Sequence, residues 1–528
     1  DLHLLSRRQR QMCIRDRTGN VQKNYEIMLE AIKKAQQVRA DLIVFPELAI
    51  CGPFPQDLLE KEAFVDECRL AVDRLAMECE GIAAIVGAPN LDIQSGIMYN
   101  SAYFIQNGEV TDGVHKTILS DYDVFEESRY FVAGEENTPL TYKNQKIRIL
   151  FDEYESEYID RSDHIVLYLG IIPFTTESLI SRQEILKNLS YKYSKNILTV
   201  NMVGGATSIL LDGNSLGYNY KGKLVVRLKE FETDFQVVDT HEMGSLPAIP
   251  EHRGVHISLV HRALVHGIRD FFEKNGFTRA ILGLSGGIDS AIVAALAAEA
   301  IGAKNVMGVL MPSVYSSDHS LQDAYDLAEN LGISHQLLPI KEIYDQYLSL
   351  LSPVFGDKPF NVAEENLQAR IRGALVMAMS NKFGYIALNT SNKSEVAVGY
   401  GTLYGDMCGS LGVIGDVYKT DVYKLAEDIN REGILIPENT IRKAPSAELR
   451  PNQKDQDSLP DYALLDPILK LYIEENLSLE SICEKGYQRE TVDKVIRLVD
   501  RNEYKRNQCP PILKVSKKAF GRGRRIPF

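Results

Sequence analysis

Apolar and polar residues along the chain follow a pattern that predicts strands alternating with amphipathic helices. After the polar turn at residues 18–20, residues 21–38 carry apolar side chains at helical spacing. An apolar run at residues 42–45 then ends at Pro46 and Glu47. Further apolar runs predict strands at residues 82–86, 101–106, 147–151, 165–169 and 197–201. This alternation indicates a layered α/β fold.

The same alternation restarts in the second half of the chain. Apolar runs predict strands at residues 280–284, 306–311, 335–340 and 385–389, with helices at residues 290–300 and 318–331. Repeats at this spacing predict a doubly wound parallel sheet, whose ligands bind at the carboxyl ends of the strands. A polar, proline-bearing stretch separates the halves, so we predict domains at residues 18–242 and 259–528, joined by a linker at residues 243–258.

The first seventeen residues do not fit this pattern. The string DLHLLSRRQRQMCIRDR is rich in arginine and resembles translated sequencing-adapter read-through. Transit peptides are also rich in arginine, but they are normally rich in serine as well. We therefore expect residues 1–17 to be extraneous, and we expect the first strand of the N-terminal domain to be missing.

Composition narrows the class of protein. A chain of 528 residues predicts two or three domains, and a formal net charge of −13 argues against general affinity for nucleic acid or an anionic membrane. The seven cysteines show no metal-type spacing, and no apolar run reaches membrane-spanning length. These features predict a reduced, cytoplasmic enzyme that acts on small molecules, without nucleic-acid or membrane partners.

A glycine-rich turn joins the first strand of the second half to its helix. Adjacent glycines let the backbone approach a ligand, and the N-terminus of the helix directs free N–H groups at it, which favours phosphate. Asp289 adds a carboxylate that suits magnesium. The strand–turn–helix context favours phosphate binding over a turn that needs glycine for its geometry alone. The predicted phosphate-binding segment comprises Gly283, Leu284, Ser285, Gly286, Gly287, Ile288, Asp289 and Ser290.

This turn resembles the PP-loop of the ATP pyrophosphatases, and later segments resemble the NAD synthetases within that group. These segments are ENLQARIR at residues 365–372, LNTSNKSE at 388–395, GYGTLYGD at 399–406 and APSAELRP at 444–451. The resemblance implies that Thr390, Lys419 and Ser446 contact ATP together with the turn. It also implies that Asp289 and Glu395 hold Mg2+, and that Asn366, Arg370, Glu395, Asp406 and Lys505 face deamido-NAD+.

The resemblance further implies an activity. ATP-dependent amidation of deamido-NAD+ would proceed through an acyl-adenylate and release AMP and pyrophosphate, in a homodimer or larger homo-oligomer. An alternative from another class is a non-catalytic dinucleotide-binding protein, which the complete set of ATP-side residues disfavours. A tRNA-modifying PP-loop enzyme is disfavoured by the net negative charge and by the absence of zinc-type cysteine pairs.

The first half resembles the nitrilase superfamily. The matching segments include FPEL at residues 45–48, HKT at 115–117 and NMVGG at 201–205. The resemblance implies a four-layer αββα sandwich which, when fused to an NAD synthetase, hydrolyses glutamine with a Glu–Lys–Cys triad. Glu47 matches the base of this triad, Lys116 matches its lysine, and Tyr122 matches a glutamine-pocket position.

The nucleophile of the triad is missing from this sequence. Phe151 stands where the resemblance requires cysteine, and no cysteine occurs between Cys79 and Cys408. The pocket segment reads GIIPF at residues 170–174 and lacks the polar residues of the family. Cys51 follows Glu47 on a loop, where we expect a structural role. We therefore expect an inactive glutaminase domain and free ammonia as nitrogen donor; the alternative is a glutamine-dependent synthetase.

A concentrated basic segment lies at the C-terminal end of the sequence. Read alone, it suggests a nucleic-acid contact or a solvated tail. The resemblance suggests instead a segment that packs near a subunit interface or the dinucleotide. Both interpretations stay open for Lys514, Lys517, Lys518, Arg522, Arg524 and Arg525.

Overall fold

The computed structural model describes residues 8–13 by their main chain, and residues 18–254, 256–451 and 453–527 in full. It divides into two compact units, residues 1–255 and residues 256–528. The division falls within the predicted linker, residues 243–258. No helix among the residues described is long and apolar enough to cross a membrane.

Two six-stranded sheets form the centre of the first unit. The first has the order β14-β1-β2-β3-β4-β5 and the second the order β13-β12-β9-β8-β7-β6, while β10 and β11 pair separately. The strands are β1 (Arg8–Cys13), β2 (Leu42–Val44), β3 (Ala83–Asp92), β4 (Ile97–Gln106), β5 (Glu109–His115), β6 (Leu140–Tyr142), β7 (Gln145–Leu150), β8 (Ile165–Tyr168), β9 (Asn196–Thr199), β10 (Val203–Ala206), β11 (Ile209–Asp212), β12 (Leu216–Tyr218), β13 (Leu224–Arg227) and β14 (Asp234–Asp239).

Alternation along the strands builds four layers. In β2, Leu42 and Val44 belong to the cluster between the two sheets, while Ile43 belongs to the cluster beneath the helices. The helices α1 (Val21–Gln37) and α2 (Glu62–Met77) cover the first sheet. The helix α3 (Ser178–Tyr193) covers the second, where its Leu186 packs in one cluster with Leu150 of β7. The predicted αββα sandwich is thereby confirmed.

Part of the segment that we expected to be extraneous forms a strand. The main chain of β1 pairs antiparallel with β14 and parallel with β2, and it fills the place of the first strand that we expected to be missing. Residues 1–7 and 14–17 lie outside the described part. That this segment is foreign to the natural protein stays a prediction.

A five-stranded parallel sheet forms the centre of the second unit. Its order β17-β16-β15-β18-β19 places the first strand in the middle, so the chain moves outward from β15 and then returns to its other side at β18. In doubly wound folds the ligand crevice opens at this reversal. The predicted fold class is confirmed, with strands at β15 (Ala280–Gly283), β16 (Val306–Leu310), β17 (Ser334–Leu337), β18 (Ile386–Asn389) and β19 (Leu411–Gly412).

Helices cover both faces of this sheet, and a separate helical cluster follows it along the chain. The helices that accompany the sheet are α4 (Ile257–Asn275), α5 (Ile288–Ile301), α6 (Asp318–Leu331), α7 (Lys341–Phe355), α8 (Val362–Phe383), α9 (Lys393–Val398), α10 (Lys419–Ile429) and α11 (Glu438–Arg442). The later ones are α12 (Tyr462–Ile473), α13 (Leu479–Glu484), α14 (Arg489–Arg501) and α15 (Glu503–Arg506). An apolar cluster joins α12 and α14 to α9 and to Phe520.

The basic C-terminal segment packs against this unit over much of its length. Lys514 and Arg524 are buried, whereas Lys517 is half exposed. Arg524 donates to the carboxylate of Glu503 at 2.6 Å. These contacts favour the packed interpretation of the segment over a solvated tail.

Candidate active sites

The turn between β15 and α5 is shaped by its glycines and closed by its serines. Gly286 has φ +74°, and a Cβ there would lie 2.1 Å from the main-chain oxygen of Ser320. Only glycine therefore permits both this conformation and this close approach to α6. Within the turn, the N–H of Gly287 donates to Ser285 Oγ at 3.2 Å, and Ser290 Oγ donates to the oxygen of Gly287 at 3.0 Å.

A buried lysine lies between two carboxylates beside this turn. Lys419, the first residue of α10, forms an ion pair with Asp289 Oδ2 on α5 and another with Glu395 Oε1 on α9, the second at 3.5 Å. The side chain of Lys419 is 2 % exposed. Burial lowers the pKa of this amine, but the carboxylates of Asp289 and Glu395 outweigh burial and raise it. Lys419 is therefore a fixed positive charge in the site.

The N-terminus of α9 orients one of these carboxylates. Asn392 caps the helix by accepting from the N–H of Glu395 at 3.0 Å, and its own Nδ2 donates to Asp289 Oδ1 at 3.0 Å. Burial and the nearby Asp289 carboxylate raise the pKa of Glu395 to about 8. The two carboxylates are thus held close enough to repel each other.

A cavity of about 330 Å³ opens at the carboxyl ends of β15, β16 and β18. Leu310 and Met311 line its apolar side, and Lys419 lies on its charged side. The residues predicted from sequence that line this cavity are Gly283, Leu284, Ser285, Gly287, Ile288, Asp289, Ser290, Thr390, Glu395, Asp406, Lys419 and Ser446.

Three of the predicted residues that do not line the cavity contact the loop that carries Asp406. Asn366 accepts from Thr402 Oγ1 at 2.8 Å, and Lys505 Nζ donates to the main-chain oxygens of Gly399 and Gly401 at 2.8 and 3.0 Å. Arg370 is exposed and donates to the oxygen of Leu403 at 3.3 Å. These contacts shape the loop rather than the wall of the cavity.

Sequence reasoning missed several residues that line the cavity. Arg372 lies two residues after Arg370 on α8, and its Nε donates to the oxygen of Met311 at 3.0 Å. Burial lowers the pKa of Arg372 to about 10, a value at which it still carries its charge at neutral pH. Lys443 and Asp455 also line the cavity. Helical periodicity alone does not reveal which of two arginines on α8 faces inward.

Asp289 and Glu395 fit a magnesium ion. No group of three or more His, Cys, Asp or Glu side chains that could hold a metal occurs in the described ranges. Magnesium commonly binds through one or two carboxylates together with substrate phosphates and water. Two partly buried, mutually repelling carboxylates beside the Ser285–Ser290 turn match that arrangement.

A second charged cluster lies in the first unit. Lys116 donates to Glu47 Oε1 at 2.9 Å and pairs with Glu127 Oε2 at 2.8 Å, and all three side chains are less than 10 % exposed. Burial and the Glu47 carboxylate raise the pKa of Glu127 to about 7. Glu47 also accepts from Asn100 Nδ2 at 2.6 Å and from the N–H of Ile171 at 2.7 Å. Sequence reasoning missed Glu127 and Asn100.

Phe151 faces the space between the two sheets. It directly follows β7, and with Ile147 and Ile149 it belongs to the buried cluster between the sheets. Val114, two residues before Lys116, belongs to the same cluster. Glu155 joins the two segments, since its carboxylate accepts from the N–H of Phe151 at 2.7 Å and from the N–H of Thr117, the residue after Lys116, at 2.8 Å. The aromatic ring offers no nucleophile there.

The nearest cysteine in sequence to Glu47 is not arranged as a nucleophile. Cys51 is fully buried in the helix-side cluster, and its thiol lies 3.5 Å from the oxygen of Leu48. Tyr122, by contrast, has an exposed side chain.

The chain matches known families and proteins over nearly all of its length. The NAD synthase family matches residues 260–509 and the carbon-nitrogen hydrolase family matches residues 8–148. Proteins named glutamine-dependent NAD(+) synthetase are 41 % identical in Synechocystis and 38 % identical in Thermotoga maritima, each aligned over 97 % of this chain and 96 % of the relative. A glutamine-dependent NAD+ synthetase structure from Acinetobacter baumannii, in complex with ADP, has a TM-score of 0.79 at 36 % identity and covers 98 % of both chains.

Proposed function

The chain belongs to the family of two-domain NAD+ synthetases, ligases that make NAD+ by amidation, and from this premise we propose how its residues carry out the reaction. The substrates are ATP and deamido-NAD+. The observation that carries the proposal is one cavity that combines the Ser285–Ser290 turn with Lys419, Asp289 and Glu395. The binding of ADP by the Acinetobacter baumannii relative supports a nucleotide in this cavity.

The first step joins the two substrates. The nicotinate carboxylate of deamido-NAD+ attacks the α-phosphorus of ATP, and the bond to the β-phosphate oxygen breaks to release pyrophosphate. Free N–H groups at the start of α5 and the fixed charge of Lys419 bind the phosphates and stabilise charge on the leaving group. Asp289 and Glu395 would hold Mg2+, which when bound offsets phosphate charge.

The second step transfers nitrogen. Ammonia attacks the acyl carbon, AMP leaves with the electron pair of the broken C–O bond, and one proton is lost from nitrogen to solvent. Arg372, Asp406 and the loop stabilised by Lys505 line the opposite side of the cavity, where we place the nicotinate end of the substrate. Enclosure by these residues limits hydrolysis of the adenylate by water.

Free ammonia is the nitrogen donor that we propose. The sequence has no cysteine between Cys79 and Cys408, and Phe151 stands where the nitrilase resemblance requires the nucleophilic cysteine. Glu47 already accepts three hydrogen bonds, so its carboxylate serves the buried ion cluster. The names of the relatives favour the alternative, in which glutamine supplies the nitrogen.

The following measurements distinguish an ammonia-dependent synthetase, a glutamine-dependent synthetase and a non-catalytic binding protein. Purified protein with ATP, deamido-NAD+ and ammonium should form NAD+ and AMP in equal amounts; formation of ADP would contradict the adenylate. ATP binding without any turnover would favour a non-catalytic dinucleotide-binding protein. Glutamate release from glutamine should stay at background, and release that is abolished by Glu47→Ala would establish an active glutaminase.

We also propose that the chain forms a homo-oligomer through α7. Ile343, Tyr347, Leu350 and Val354 recur at helical spacing and are 39, 44, 74 and 77 % exposed. An apolar helix face of this kind on a monomer marks an interaction surface. A second copy of the same helix is the simplest partner, because the face is then self-complementary.

A further inference from the structure

One face of α12 contacts the segments that carry the charged residues of the cavity. Tyr462 and Asp466 are one helical turn apart on α12, and Glu474 directly follows the helix. Tyr462 donates its hydroxyl to Asp455 Oδ2 at 2.9 Å. Asp466 accepts from Ser394 Oγ at 2.5 Å and from the N–H of Thr420 at 2.8 Å. Each residue on this face therefore contacts a segment that carries a residue lining the cavity.

Among the cationic side chains near this face of α12, Lys393 is the most completely buried. Its side chain is 0 % exposed, and its Nζ lies 2.7 Å from Glu474 Oε1 and 3.0 Å from Asp416 Oδ1. The same Nζ donates to Ser516 Oγ at 2.6 Å and to the oxygen of Lys518 at 3.0 Å. All four of these partners are internal and the side chain is fully buried, so the amine does not contact substrate.

The position of this lysine determines where the segments that carry Glu395 and Lys419 lie. Lys393 is the first residue of α9, one residue after Asn392, which donates to Asp289, and two residues before Glu395. Its main-chain N–H donates to the oxygen of Val417, and its side chain pairs with Asp416, three residues before Lys419. The lysine therefore fixes the separation between the segment that carries Glu395 and the segment that carries Lys419.

The C-terminal segment completes the same cluster. Asp416 accepts from the N–H groups of Val515 and Ser516 at 2.8 and 2.7 Å, and from Ser516 Oγ at 2.8 Å. Carboxylates that receive main-chain N–H bonds keep their charge when buried, and the pKa of Asp416 is accordingly lowered, since burial is outweighed by Lys393 and these donors. A basic segment more than 90 residues beyond the site thus becomes part of its support.

We propose that Lys393 is a positioning residue of the synthetase site, and that the segment around Ser516 acts through it. When residues that hold metal ligands in place through hydrogen bonds are removed, activity or metal affinity commonly changes by about 10- to 100-fold. Lys393 acts on Asp289, Glu395 and Lys419, none of which it touches. This inference rests on the proposed function of the cavity.

The test replaces Lys393 by methionine in the full-length protein. We expect kcat for ammonia-dependent NAD+ formation to fall about 10- to 100-fold and the Kd of ATP, measured by calorimetry, to rise about 10-fold. Lys517→Met removes a half-exposed lysine of the same segment and should leave both quantities within twofold. A Lys393→Met protein with both values within twofold of wild type would overturn the proposal.

Controls must distinguish a general loss of protein stability from displacement of the residues that line the cavity. Val495→Ala removes a buried side chain of α14 in the apolar part of the same cluster, away from the polar face. Lys393→Met/Glu474→Gln also removes a negative charge that Lys393 balances, and it should recover most of the melting temperature without recovering kcat. Equal losses of kcat in Val495→Ala and Lys393→Met at matched stability, or recovery of kcat by the double variant, would assign Lys393 a structural role only.

Failure of the proposed function would give a different result. If the wild-type protein binds ATP but forms no NAD+, the proposed amidation reaction is wrong. The Kd of ATP still measures whether Lys393 positions the residues around the cavity. In that case a 10-fold weaker Kd in Lys393→Met alone, with Lys517→Met unchanged, supports the positioning role. An unchanged Kd refutes it.

Discussion

At the scale of single residues, both units use the same device, a buried lysine between two carboxylates. Such a cluster is costly to desolvate, and its balance depends on every member. Where the cluster lines a cavity it can meet a ligand, and where it is closed by internal donors it contributes to the fold. The three clusters are Lys419 with Asp289 and Glu395, Lys116 with Glu47 and Glu127, and Lys393 with Asp416 and Glu474.

Gly286→Ala tests whether the turn needs glycine for its close approach to α6 as well as for its main-chain conformation. A methyl group there would meet the Ser320 oxygen at 2.1 Å, so α6 must move and ATP binding should weaken at least tenfold. Gly276→Ala is the matched control, because it has φ +70° with nothing within 4 Å. It should cost about 1–2 kcal/mol of stability and leave the calorimetric Kd of ATP unchanged. Equal Kd values for the two variants would refute the close-approach argument.

Lys116→Met tests the role of the cluster in the first unit. Two buried carboxylates lose their counter-ion, so the free energy of unfolding of this unit should fall by about 3–5 kcal/mol. The ammonia-dependent rate per folded molecule should not change. Urea unfolding and the NAD+ assay measure the two quantities.

Lys187→Met provides the comparison for that variant. Its ion pair with Glu251 is 49 and 31 % exposed, and pairs of this kind contribute about 0–1 kcal/mol. A stability loss in Lys116→Met no larger than in Lys187→Met would show that the buried cluster is not structural.

At the scale of elements, local signals predict some features and fail for others. The helix α6 begins and ends where predicted, because Ser317 caps its start and Gly332, with φ +66°, terminates it. The strands β2, β15 and β18 are likewise confirmed within one residue, since short apolar runs between turns specify them. The strands β10 to β13 were not predicted, because each has only three or four residues, too few for an alternating pattern to stand out; β10 pairs with β11 and β12 with β13 in local hairpins. The strand β14 was also not predicted, and it pairs with the distant strand β1.

The candidate site likewise combines features that a local sequence pattern predicts with features that it does not predict. The Ser285–Ser290 turn is local and could be predicted. The position of Lys419, 130 residues after Asp289, and the inward side of α8, which presents Arg372 rather than Arg370, depend on packing that no local pattern records.

His261→Gln tests how α4, α5 and α10 are held together. His261 lies 2.8 Å from Glu299 and 2.9 Å from Asp428; burial lowers its pKa, but these two hydrogen bonds outweigh burial and raise it. A raised folded pKa means that the stabilisation is complete below the unfolded pKa of about 6.5 and is lost as pH rises through the folded value. The difference in unfolding free energy between wild type and variant should therefore be larger at pH 6 than at pH 9. A difference that grows with pH would contradict the assignment.

At the scale of the whole molecule, the apolar face of α7 predicts self-association. Leu350→Glu places a charge at its most exposed part and should shift the protein toward monomer in analytical ultracentrifugation. Ile93→Glu, at a residue 91 % exposed in the first unit, is the matched control and should leave the mass unchanged. A monomeric wild type, or a Leu350→Glu variant of unchanged mass, would contradict the predicted interface.

The two units together raise one question, the source of nitrogen. The second unit has a cavity that combines the Ser285–Ser290 turn, a buried lysine and two carboxylates. The first unit has Glu47 and Lys116 but presents Phe151 between its sheets. The central claim is therefore that this chain forms NAD+ from ammonia and not from glutamine.

Isotope incorporation tests that claim most directly. Purified protein is given ATP, deamido-NAD+ and either 15N-ammonium or amide-15N-glutamine at equal concentration, and the label in the NAD+ amide is measured by mass spectrometry. We predict labelled NAD+ with ammonium and background label with glutamine. Labelled NAD+ from glutamine at a comparable rate would contradict the account and restore the first unit as the source of ammonia.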